Sequence, residues 1–468
     1  MMTMLPITWV DETARKGGRR HCRTPLLPKN PSSSAFLDGG EPGLDGASFP
    51  GAVFNLSTTI VGAGIMALPA AIKLLGLAPG LAAIVLVALL TRESVGMILR
   101  FGRPPLTSPK PGAGSYAGAV GEAFGCTGRA LLQACIVVNN LGMLVVYMII
   151  IGDVLSGTTG EGGVHHPGLV EEWVGEGWWA TRSGVLLLTS VLVFAPLISL
   201  KRVDSLRYTS ALSVALAMVF VVVTAGLAIT KIADGSIAPP QLLPEVTESA
   251  SFWKLFTTVP VLVTAYICHY SVHPIENELR ERSQMRAVVD ASMWLCAGVY
   301  VATSLFGFLL FGEKTLDDVL ANFDGDMGLG SYGGVLSTAV RVSYAAHLML
   351  VFPVVFFSLR LNLDGLLFPL AIPIASDRPR FAAITATLMG ASFLGANFVP
   401  SIWDAFQFTG ATAAIAIGFL FPAAMALRDV YGVAKAKDKV LAWVMILLGI
   451  SSSAAAISTN IYDLFNQS

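Results

Sequence analysis

Charge is scarce in this sequence. Asp, Glu, Lys and Arg make up 13% of 468 residues, about half the share usual in soluble domains. So little charge could not cover the surface of a soluble protein of this size. Histidine is rarer still, with six in the whole chain, too few for a histidine-box oxygenase. The five cysteines, Cys22, Cys126, Cys135, Cys268 and Cys296, show no CxxC spacing. Neither a disulfide framework nor a zinc site is therefore expected. The net charge of −1 offers no basic surface for nucleic acid. No HExxH, P-loop or GxGD motif occurs, so no enzyme and no cofactor is indicated. No TVGYG-type filter occurs either, which speaks against a potassium-type channel.

What the chain has is apolar length. Hydrophobic residues make up 54% and the mean hydropathy is +0.68. The class is an all-α membrane protein. Residues 1–50 stand apart, with Pro6, Pro25, Pro28, Pro31, Pro42 and Pro50 and a Ser32–Ser34 run. They read as a disordered cytosolic tail without a signal-peptide core. Residues 51–462 form the transmembrane domain, with eleven candidate spans near 51–76, 78–100, 130–152, 183–200, 208–230, 253–274, 289–311, 333–358, 381–398, 401–426 and 440–462.

Lys and Arg orient these spans. With the N-terminus cytosolic, the cytosolic segments carry 23 of them and the opposite side only Arg182, Lys231, Lys254 and Lys314. This is a strong positive-inside asymmetry. An odd number of spans then places the C-terminus in the lumen or outside the cell.

A chain of many spans with no soluble domain reads as a transporter or channel. Interrupted helices in corresponding halves point to its binding site. Span one carries Ile60-Val61-Gly62-Ala63-Gly64-Ile65-Met66, with two glycines one residue apart. Each glycine weakens a helix by about 1 kcal/mol. If the helix unwinds there, the next half-helix presents free N–H groups and a positive dipole end to a carboxylate. The alternative is that Gly62 and Gly64 only allow close helix packing. Span six turns polar over Cys268-His269-Tyr270-Ser271 before Pro274, which predicts a second break near 268–271. The two breaks lie five spans apart. That is the separation expected of two five-helix inverted repeats.

Other polar residues leave alternatives open. His269, His273 and Glu276 have the spacing of a metal site or of a buried core. Arg341 faces either protein at mid-span or the membrane surface. His347 is a proton carrier or a satisfied core histidine. Arg92 and Glu93 read as a local pair, and Asn139 and Asn140 either face a cavity or bridge helices.

Four segments resemble the amino acid/auxin permease family: Phe54–Pro69, Ser115-Tyr116 with Glu122–Gly125, Tyr266–His269, and Phe408–Thr412. In order and spacing the resemblance covers about 51–462. It is similar above all to plant vacuolar amino acid transporters and to sodium-coupled neutral amino acid transporters. It implies a LeuT-type fold of five plus five inverted helices and one more, and amino acid transport by alternating access. It implies that the substrate carboxylate meets the N–H groups of Gly62, Ala63, Gly64, Ile65 and Met66. The α-amino group would meet carbonyls near Ile60 and Val61, or near Cys268, His269 and Tyr270. The departure lies at the ion. Sodium-coupled relatives carry Asn where this chain has Thr58, and Val351 and Phe352 precede Pro353, leaving Ser343 as the nearby hydroxyl. Coupling residues are then Thr58, Ser343 or His347, and a proton or a passive gradient is favoured over sodium. The Pro25–Pro28 segment resembles vacuolar relatives, which favours an endomembrane. An amino-acid-sensing transceptor and a sodium-coupled symporter are the alternative functions.

Overall fold

The computed structural model describes residues 46–102, 114–159, 165–200, 206–237, 239–244, 249–324, 331–399 and 402–466. The tail over residues 1–45 and its Pro25–Pro28 segment lie outside them. Helix α1, Phe49–Ile60, starts at a Ser48 cap whose hydroxyl accepts the Gly51 N–H at 3.3 Å. Pro50 sits at the helix start, where its missing N–H costs nothing. Helix α2, Gly64–Leu75, follows after a bend of 54°. It stops at Gly76, whose φ of +77° favours glycine.

Helix α3 is Leu77–Phe101 and α4 is Tyr116–Ser156. Gly125, at φ 73°, breaks α4 near its start, so the expected third span begins after that kink. A two-stranded hairpin, β1 Gly157–Thr159 and β2 His165–Pro167, follows, then a short helix, Leu169–Val174. Helix α5, Arg182–Thr189, continues through a π-helical stretch to Ile198. The remaining helices are α6 Arg207–Ala233, α7 Ser249–Ala265, α8 His269–Glu278, α9 Met285–Phe311, α10 Ser331–Leu367, α11 Arg378–Phe398, α12 Ile402–Thr409, α13 Phe421–Arg428 and α14 Ala436–Asn466. Two π-helical turns, Gly410–Ala414 and Ala416–Leu420, join α12 to α13.

Among the described residues, nine helices are long and apolar enough to cross a membrane, and the bent α1–α2 pair makes ten. The eleventh expected span corresponds to Arg182–Ile198, which is apolar but short. The count of eleven is therefore not confirmed. A π-helical stretch, Ser190–Phe194, and Pro196 lie within that segment. One cysteine also departs from expectation: Cys126 is disulfide-bonded, whereas Cys135, Cys268 and Cys296 are free. The sequence missed this because spacing alone cannot show which thiols meet in space.

The two broken spans are the most enclosed: residues 55–72 of α1–α2 are all buried, and 83% of the apolar part of α7–α8 is buried, against 22% for α11 and 33% for α14. Helix α9 packs on α1, α2, α3 and α6, and α10 packs on α4 and α6. The broken helices thus sit at the centre, with α11 and α14 at the rim.

Candidate functional site

Both expected breaks exist, and they touch. The first unwinds over Val61–Ala63, where Val61 is extended at φ −74°, ψ 92°. The second falls at Tyr266–Cys268, slightly earlier than 268–271. Tyr266 and Ile267 turn their N–H groups back to Val263 O and Thr264 O, each at 3.2 Å, and this tightened turn ends α7. Pro274, which prompted the expectation, lies inside α8. There its missing N–H deprives the Tyr270 carbonyl and does not end the helix. Gly64 packs directly on the second break: a Cβ there would lie 2.7 Å from Ala265 Cα.

The first break is held by side chains from three other helices. Tyr300 of α9 donates to Ile60 O at 2.6 Å, His347 of α10 reaches Val61 O from Nε2 at 3.0 Å, and Tyr344 of α10 donates to Gly62 O at 2.6 Å. Tyr147 of α4 holds the other side of the same peptide, its hydroxyl oxygen accepting from the Ala63 N–H. A Cβ at position 62 would collide with that hydroxyl. Three successive peptides, 60–61, 61–62 and 62–63, are thus gripped where the helix is unwound. Residues 60–66 are all buried. Ile65 N–H returns to Gly62 O at 3.3 Å and Met66 N–H to Ala63 O at 3.0 Å, so these two donors are already engaged. Among the described residues no backbone acceptor is found for the N–H groups of Gly62 and Gly64.

The second break contributes differently. Ala265 O accepts from the same Tyr300 hydroxyl at 2.7 Å. Cys268, His269 and Tyr270 are buried, but the His269 ring turns to Ser94 of α3, Nε2 to Oγ 2.9 Å. Ser94 in turn donates to Gly418 O. His269 therefore ties span six to span two, from which Ser94 reaches span ten, and its ring is not turned to the first break. The Ser57 hydroxyl turns to the Cys296 thiol, whereas the buried hydroxyls of Tyr266 and Ser271 have no hydrogen-bond partner here. They are free donors beside the second break.

The three coupling candidates separate. Thr58 donates to Ser210 O at 3.0 Å and ties α1 to α6. Ser343 donates to Val340 O at 3.0 Å on its own helix. Only His347 touches the break. Its Nδ1 lies 2.8 Å from both Ser213 Oγ and Ser213 O. Each ring nitrogen therefore faces a carbonyl oxygen, Val61 O or Ser213 O. A neutral imidazole has one N–H and can donate to only one of them; the protonated ring donates to both.

Elsewhere, Arg341 reaches Val154 O and Pro167 O, each at 3.3 Å, so it sits by the hairpin at one end of α4. Arg92 pairs with Glu93 at 2.9 Å as expected, and with Asp290 of α9 at 2.8 Å. Asn139 donates to Asn140 at 3.0 Å. No group of three metal-ligating side chains occurs among the described residues. The sequence reading missed Tyr147, Tyr300, Tyr344 and Ser213. Its one available signal was that a tyrosine deep in an apolar span needs a partner for its hydroxyl.

Comparison with known proteins gives a consistent picture. A family model described as transmembrane amino acid transporter protein matches residues 45–462. The chain is 55% identical to the Arabidopsis thaliana amino acid transporter AVT6A over 443 residues, 95% of this chain and 94% of that protein. It is 57% identical to Arabidopsis AVT6B over 445 residues, 95% of each. Among solved structures, MhsT in complex with L-phenylalanine aligns at a TM-score of 0.55 and 13% identity, covering 88% of this chain and 97% of that one. An Eremococcus coleocola manganese transporter aligns at 0.53 and 14% identity, covering 94% and 90%. At such identities the structural likeness carries the fold alone, which is of the LeuT type.

Proposed function

The chain belongs to the amino acid/auxin permease family of transmembrane amino acid transporters, and on that premise we propose that it moves amino acids by alternating access, coupled to a proton at His347. The observation that carries the reading is the contact between two helix breaks at the buried centre of the molecule, Gly64 against Ala265. The Gly62–Gly64 end offers N–H groups and a positive dipole end to the substrate carboxylate. Of the window Gly62–Met66, the donors of Gly62 and Gly64 serve best, because those of Ala63, Ile65 and Met66 are engaged. The Ile60 and Ala265 carbonyls offer the negative ends of α1 and α7 to the α-ammonium.

His347 supplies the coupling. Protonated, it donates to Val61 O on the first break and to Ser213 O on α6. Neutral, it keeps one carbonyl and accepts from the Ser213 hydroxyl instead. Protonation therefore changes how firmly α10 and α6 hold the break. Neither Thr58 nor Ser343 reaches this point, so a proton serves as co-ion better than sodium. The family resemblance to vacuolar relatives and the Lys and Arg distribution support an endomembrane location, with the N-terminus cytosolic.

Counterflow of radiolabelled amino acids in proteoliposomes, with sodium and pH varied separately, tests both parts. Flux that follows pH and ignores sodium is expected. A strict requirement for sodium at constant pH overturns the proton assignment. Absence of amino acid flux under every condition overturns transport.

A further inference from the structure

Ile60 is the last residue of α1 and Ala265 the last of α7. Their carbonyls stand at the negative ends of two half-helices, and both converge on one atom. The Tyr300 hydroxyl lies 2.6 Å from Ile60 O and 2.7 Å from Ala265 O, so the two oxygens are no farther apart than the sum of these distances. Tyr300 belongs to neither broken helix. It stands fully buried on α9 with its ring edge-on to Tyr266, centroids 4.8 Å apart. A phenol brings one proton and no charge to this pair of carbonyls; an ammonium brings three protons and a full positive charge.

We propose that Tyr300 stands in for the substrate's α-ammonium in the empty carrier. Its single proton is shared between the two converging carbonyls while no amino acid is bound, and the arriving ammonium takes them over with a separate N–H for each. This rests on the reading of the paired breaks as the amino acid site, and adds a role for a residue outside both breaks. A transporter completing a cycle of net uptake must return empty. During that return both half-helix ends stay buried, and a buried carbonyl without a donor is costly. Tyr300 lowers that cost. The loaded carrier does not need it, because the ammonium does the same work. Tyr300 is thus a positioning residue for the empty return step.

Tyr300→Phe removes the hydroxyl and keeps the ring. Net uptake driven by a proton gradient requires the empty return; exchange, with the same radiolabelled amino acid mixture on both faces, does not. In proteoliposomes the variant should lose about tenfold in net uptake and keep exchange within about twofold, the scale of one unsatisfied buried polar group. A second readout covers poor folding. The purified variant should melt earlier than the wild type when empty, and the amino acid mixture should restore more of its melting temperature than it adds to the wild type. Equal loss of both fluxes, unchanged net uptake, or a melting deficit that the mixture leaves in place overturns the proposal. A wild-type protein without exchange would defeat the transport reading itself, an outcome visible before the variant is made.

Discussion

At the scale of single residues, the first break is intolerant of volume at one position and sensitive to charge at another. A Cβ at position 64 would sit 2.7 Å from Ala265 Cα and 2.9 Å from its Cβ. Neither atom belongs to a flexible side chain that could yield. Gly64→Leu is expected to abolish uptake of labelled amino acids while the protein still reaches the membrane. Gly298→Ala, on α9, meets nothing within 4 Å and should leave uptake unchanged. Normal uptake by Gly64→Leu would remove the substrate site from the first break. His347 is the charge-sensitive position. Gln at 347 keeps an amide donor for Val61 O but carries no titrating proton. His347→Gln should therefore retain exchange at neutral pH and flatten the dependence of net uptake on the proton gradient. In wild type, acidifying the donor side favours the doubly donating ring and should raise uptake. A gradient dependence that survives in His347→Gln would move the coupling elsewhere.

At the scale of elements, close backbone approach governs the centre. Where span ten crosses α7, a Cβ at Gly410 would lie 2.6 Å from Thr264 Oγ1 and 2.7 Å from Pro260 O. Small residues permit such crossings in membranes. Gly410→Ala should cost about 1–3 kcal/mol of overpacking, read as a lower melting temperature in detergent together with weaker substrate binding, since Thr264 directly precedes Ala265. An unchanged melting temperature would show that the crossing has slack. The two breaks were legible in the sequence because local chemistry makes them: a Gly-x-Gly run in one span and a polar run in the other. What closes them was not legible. Tyr147, Tyr300 and Tyr344 look like ordinary apolar-span residues, and their partners lie far away in the chain, as with Tyr344 and Gly62. His347 could be shortlisted by its rarity, but only its geometry separates it from Thr58 and Ser343. The helix count stays unconfirmed at Arg182–Ile198, an apolar helix that is short for a span and carries a π-helical stretch.

At the scale of the whole molecule, the expected orientation rests on the distribution of Lys and Arg. Lys and Arg crowd one face of the span pattern, 23 against four, and such an excess marks the cytosolic side. The salt-bridged ends agree in kind. Arg92–Asp290 joins α3 to α9, and Arg100–Asp438 joins α3 to α14, both on the basic side. Arg341, Val154 and the hairpin lie at the opposite end, beyond the breaks. The expected arrangement is a cytosolic N-terminus and a lumenal C-terminus. This requires an odd number of crossings, and so Arg182–Ile198 must cross the membrane despite its shortness. A pH-sensitive fluorescent protein fused after Ser468 checks this. In sealed cells its signal should follow the pH of the non-cytosolic side and not cytosolic pH. Cysteine labelling at Lys231 and Lys314, each changed to Cys, should then fail with an impermeant reagent until the endomembrane is opened. A cytosolic C-terminal reporter would give an even number of crossings. Arg182–Ile198 would then be a re-entrant segment, and the orientation of the second half, with the second break, would have to be redrawn.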